Sequence, residues 1–93
     1  MLKTPASQLR LDILELLKDP AAHFPPRGDL PEDGVTCDAV AARLGLRREV
    51  AATHLGLLAE LGLLRTSEVR RATHYRRDEV RIAEVARMFE KGW

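Results

Sequence analysis

Cysteine is nearly missing from this chain: Cys37 is the single one. One thiol cannot close an internal disulfide, and it cannot build a cysteine-rich metal site within one chain. Aromatic residues are scarce too, with one Trp, one Tyr and two Phe in 93 residues, and they are scattered. That argues against a stacking platform for single-stranded nucleic acid. No apolar run approaches the ~20 residues of a membrane span, and no secretory signal pattern opens the chain. The expectation is a soluble cytoplasmic protein of one domain, residues 1–93, long enough to bury roughly 60–65% of its unfolded surface without staples. A glycine-rich phosphate loop, paired carboxylates in an apolar setting and a nucleophile motif are all missing, so neither a catalytic residue nor a cofactor is expected.

What is present is unevenly distributed. The net charge is +1. Residues 1–46 hold five Lys/Arg against seven Asp/Glu, a balance of −2, whereas residues 47–93 hold ten against seven, a balance of +3. Arg65, Arg70, Arg71, Arg76 and Arg77 fall within thirteen residues against Glu68 alone. This is a small basic patch, in itself a weak nucleic-acid footprint.

Periodicity divides the chain into four helices and a hairpin. Thr4 is a good N-cap and Pro5 a good first helical residue, and Leu9, Ile13, Leu16 and Leu17 then form a stripe that ends near Asp19-Pro20. Residues 19–34, "DPAAHFPPRGDLPEDG", carry four of the five prolines and read as a surface loop, too punctuated for helix or strand. Thr36 caps a short helix bearing Val40, Ala41 and Leu44, which Gly45 ends. A second helix follows at once, with Ala51, Leu55 and Leu58 on one face and Gly62 as its stop. Two helices joined through "LGLR" make a helix-turn-helix over residues 37–61, whose second helix can enter a major groove. "LLRTSEVRRATHYRRDE" reads as a two-stranded wing over residues 64–77 with Arg70 and Arg71 near its tip, although the tip lacks the usual Asn-Gly or Asp-Gly. Asp78 caps a last helix over residues 79–91, closed by Lys91-Gly92, with a stripe of Ile82, Val85, Ala86 and Phe89 extended by Trp93. The fold class is mainly α with a small β-hairpin, a winged helix-turn-helix.

These segments resemble the ArsR-type winged helix-turn-helix repressors of bacteria. The resemblance lies in "RLDILELL" (Arg10–Leu17), "VAARLGL" (Val40–Leu46), "THLGLLAELGLL" (Thr53–Leu64) and "HYRRDEVRIAE" (His74–Glu84), and it covers most of the chain. The spacing from Leu44 through His54-Leu55 to Gly62-Leu63 matches the family without insertion, and "DPAAHFPP" looks like the loop of one of its subgroups. The resemblance implies a homodimeric repressor of operator DNA, released in many members by a metal or another signal. It also implies that the extra N-terminal helix such proteins pair with their last helix is missing or very short here.

The departures fall where sequence would be read. Arg47, Arg48 and Glu49 stand where the family usually has a Ser cap followed by Gln-Pro, and Ala52-Thr53 where a Ser-Arg pair is usual. Two cations at a helix N-terminus oppose its dipole, an effect that a docked phosphate would reverse. Arg47 and Arg48 therefore make sense as backbone clamps; the bland alternative is a solvated arginine pair. The candidate DNA-binding set is Arg47, Arg48, Glu49, Ala52, Thr53, Arg70, Arg71 and His74, the last expected to face outward from the wing toward phosphate. His54 reads as a core histidine bonded to backbone, and Tyr75 as a hairpin core residue.

Cys37 falls in the first turn of a helix, where thiols become reactive. The family's arsenic sensors use a Cys-x-Cys pair there, whereas Cys37 is flanked by Thr36 and Asp38, and residues 78–93 hold no His for the family's other metal site. A small buried thiol and no metal site are expected. Ile82, Val85, Ala86, Phe89 and Trp93 are the expected dimer interface, with double-stranded DNA as the other partner and the effector unassigned. Two other functions stay open: a protein-interaction module that has lost DNA binding, and a repressor sensing a thiol-reactive signal through Cys37.

Overall fold

In the computed structural model, which describes residues 5–24 and 34–90, the first apolar stripe winds into α1, Ala6–Lys18, and buries Ile13, Leu16 and Leu17. Pro5 is the cap and not the first helical residue: its φ of −59° and ψ of 149° are non-helical, and its carbonyl accepts the Leu9 N–H at 3.0 Å. Thr4 lies outside the described residues. The reading of residues 19–34 as loop throughout needs a correction, because Pro20–His23 forms a single helical turn, α2. Proline is well placed at N1, where its fixed φ fits and no N–H is required. The turn closes through Ala22 N–H to the Asp19 carbonyl at 3.1 Å and Phe24 N–H to the Pro20 carbonyl at 2.9 Å.

β1, Val35–Thr36, leads directly into α3, Cys37–Leu44. The Thr36 hydroxyl accepts the Ala39 N–H at 3.2 Å, satisfying one orphan donor of the first turn. Gly45 ends α3 at φ 67°, letting Leu46 N–H reach the Ala41 carbonyl at 2.9 Å. α4, Arg48–Glu60, ends in the same way: Leu63 N–H bonds the Leu58 carbonyl and Gly62 N–H the Ala59 carbonyl, each at 3.0 Å.

β2, Leu64–Val69, and β3, Ala72–Arg77, form the hairpin, but the sheet holds three antiparallel strands in the order β1-β3-β2. Val35 pairs with Tyr75 and Thr36 with His74. A strand of two residues shows no alternation, so it leaves no period to detect. The residue before it does carry a signal. Gly34 holds φ 96°, and a Cβ there would run into the Tyr75 carbonyl, so glycine allows β1 to close on β3.

The core lies where α1, α3 and α4 meet one face of this sheet. Ile13, Val40, Leu55 and Leu58 are its largest fully buried side chains, joined by Leu17, Val35, Ala51 and Leu64. α5, Glu79–Glu90, stands apart. Its start is anchored: Asp78 accepts the Arg81 N–H at 3.1 Å and donates its own N–H to the Leu63 carbonyl at 2.9 Å. Beyond that start, none of its described side chains is buried, and Val80 and Met88 are exposed. Among the described residues no helix is long and apolar enough to cross a membrane.

Candidate nucleic-acid interface

α4 begins at an unusual N-terminus. Arg47 occupies the cap position in extended backbone with no side-chain cap, and the first turn contains Glu49 as its acid. Arg47 is exposed and makes no ion pair among the described residues. Arg48 is different. Its Nε lies 2.6 Å from Asp38 Oδ1 in the first turn of α3, and this hydrogen bond and charge push the guanidinium pKa further up. Ala52 and Thr53 are exposed one turn further on. The Thr53 hydroxyl donates to the Glu49 carbonyl at 2.9 Å, leaving a methyl and the oxygen lone pairs for an outside partner.

The wing tip resolves the missing Asn-Gly. Val69 pairs with Ala72, so Arg70 and Arg71 are the two central residues of the turn, at φ 52° and 67°. Two positive-φ residues are the mark of a type I′ hairpin. Holding a non-glycine residue there costs of order 1–3 kcal/mol. Both arginines are exposed and make no ion pair among the described residues. Beneath the tip, the Thr73 hydroxyl donates to Glu68 Oε1 across the two strands.

The rest of the basic patch is occupied by the fold. Arg65 Nε bonds Asp78 Oδ2 at 3.1 Å. Arg77 donates to the Leu14 carbonyl at 2.9 Å and to Glu79 Oε1 at 3.1 Å; its Nε sits 2.9 Å from Glu79 Oε2, close enough for an ion pair but not aligned for a hydrogen bond. Arg76 is also engaged. Five clustered arginines therefore reduce to the two at the tip.

His74 corrects the expectation of an outward, phosphate-facing side chain. It is 4% exposed, its Nδ1 is 3.2 Å from the Ala72 carbonyl, and its buried Nε2 has no partner among the described residues. β1 also makes β3 the central strand, so His74 is flanked on both sides, by Thr36 and by Ser67, and does not stand at an open edge. His54 is buried, with Nδ1 lacking the expected backbone partner among the described residues, and Tyr75 packs half-buried against the core. Cys37 is buried as well. Its thiol donates to the Arg48 carbonyl at 3.5 Å, and burial, more than any charge, raises its pKa. No group of three or more metal-ligating side chains occurs among the described residues.

Comparison with known protein families gives no matching family model. Among curated proteins, the chain is 31% identical over 86 residues to an uncharacterized HTH-type transcriptional regulator, YbzH, of Bacillus subtilis (strain 168). The match covers 90% of this chain and 86% of that protein, so it spans both helices of the helix-turn-helix and the wing. The chain belongs to the HTH-type transcriptional regulators. The second helix of a helix-turn-helix can enter a major groove, and in this chain the second helix of the pair is α4. The residues missed from sequence, Asp38 above all, touch its N-terminus from an element ten residues earlier, a relation no periodicity reveals.

Proposed function

We propose that this HTH-type regulator is an ArsR-type repressor that binds a palindromic operator as a homodimer. α4 enters the major groove, with Glu49, Ala52 and Thr53 toward base edges and Arg47 on phosphate. Arg70 and Arg71 grip the backbone or the adjacent minor groove from the wing. Such phosphate contacts position the protein, and the α4 residues specify the sequence. The observation that carries this reading is the wing tip: two exposed arginines, without an ion partner among the described residues, kept in a strained turn that Asn-Gly would satisfy better. Strain retained with exposed cations is accounted for by a polyanionic partner.

Dimerisation rests on α5. Ile82 and Val85 are half-buried, Ala86 is exposed, and no described α5 side chain belongs to the core or to the apolar side chains packed on it. That placement favours an intermolecular role over one in which the stripe packs on Leu9 and Ile13 within one chain. The side chain of Phe89 and all of Trp93 lie outside the described residues, as do Lys91 and Gly92.

The test replaces both wing-tip arginines by alanine and follows binding to generic duplex DNA against salt. The double variant is expected to bind more weakly, with the slope of log K against log salt reduced by ~0.9 for each phosphate no longer neutralised. An unchanged slope removes the wing from the interface.

A further inference from the structure

The first turns of α3 and α4 are held side by side. Thr36 caps α3, the Cys37 thiol reaches the Arg48 carbonyl at the start of α4, and between these contacts Asp38 meets Arg48 at 2.6 Å. The proximity of the pair is thus set by the backbone as well as by the two side chains. Both side chains are open to solvent, 71% for Arg48 and 72% for Asp38. A phosphate approaching the N-terminus of α4 would seek the same guanidinium. Arg47, one residue earlier, has no such carboxylate partner among the described residues.

We propose that Asp38 acts as an electrostatic brake on the recognition helix, occupying Arg48 in the free protein and withholding one phosphate contact from DNA. The inference rests on the DNA-binding reading above. An exposed ion pair is weak and screened by salt, so a phosphate can displace it. Displacement leaves the Asp38 carboxylate unpaired beside a polyanion, and that repulsion lowers the gain from the new contact. Because the contact is to backbone, the penalty falls on DNA of any sequence, including the sites that compete with an operator. Asp38 also favours the first turn of its own helix, where an acid suits the dipole, so one carboxylate serves both roles.

A double-mutant cycle tests this by fluorescence anisotropy on a short duplex of arbitrary sequence, across a salt series. The four proteins are the parent, Asp38→Asn, Arg48→Ala and the double variant, each checked for folding by its melting curve. Asp38→Asn is expected to bind about two- to fivefold tighter than the parent, with a slope steeper by ~0.9. In the Arg48→Ala background, where only the repulsion between the unpaired carboxylate and DNA is left to relieve, the same substitution is expected to give a clearly smaller gain and no steepening of the slope. An equal gain in both backgrounds would show that Asp38 acts only through its own charge and would overturn the proposal. So would weaker binding by Asp38→Asn, which would make Asp38 a support that positions Arg48 for DNA. If the parent binds and Asp38→Asn matches it, the brake alone fails; if none of the four binds, the DNA-binding reading fails with it.

Discussion

At Arg70 and Arg71 the proposed DNA contact is set against the strain of a positive-φ turn. Exchanging the pair, Arg70→Asn with Arg71→Gly, would supply the residues that a type I′ turn favours. The double variant is expected to be more stable than the parent in urea by about 1 kcal/mol or more while binding duplex DNA more weakly. A variant that gains no stability would show that the positive φ values carry no strain, and one that binds as tightly as the parent would free the tip of its assigned role. Single residues are also where sequence reading fails most. Alternation with Tyr75 places His74 outside, yet it is buried in a central strand, between Thr36 of β1 and Ser67 of β2. The engagement of Arg65 by Asp78 and of Arg77 by Glu79 and Leu14 joins residues up to 63 positions apart, and so the local charge count overstates the free basic surface.

The helices that can be read from sequence share a cause: an apolar stripe bounded by a cap and a stop. Ala51, Leu55 and Leu58 fall on the buried face of α4, and Gly45 and Gly62 end α3 and α4 with paired wrap-around bonds. The elements that escape, α2 and β1, have four and two residues, too short to show a period. α5 is legible at its start. Asp78 accepts the Arg81 N–H, which with the Arg65 hydrogen bond holds its pKa below the usual 3.8. A depressed carboxyl stabilises the fold when ionised, so its contribution is present above pH 3.8 and is lost as pH falls through the folded value. Asp78→Ala is expected to melt earlier than the parent at pH 7, with the gap narrowing at pH 3; a gap that stays constant would remove the ionised carboxylate from the account of the cap.

For the whole molecule, the proposed dimer would separate folding, which rests on the enclosed core, from assembly on the outlying α5. Val85→Glu alters a half-buried residue of a helix outside the core, so it is expected to keep the melting behaviour of the parent and to sediment as a monomer at concentrations where the parent is a dimer. A parent that is itself monomeric at micromolar concentration, or a folded variant that still dimerises, would contradict the α5 interface. The helix-turn-helix class and the fold are readable from the spacing of caps, stripes and stops, whereas the free or engaged state of each candidate DNA-binding residue is not, because distant partners such as Asp38 set it. Selection of bound sequences from a pool of random duplexes asks whether two symmetry-related copies of α4 read DNA, as proposed: the expected result is enrichment of an inverted repeat whose half-sites are centred one or more helical turns apart, ~10–10.5 base pairs each, and a pool that emerges without any enriched motif would refute the proposal.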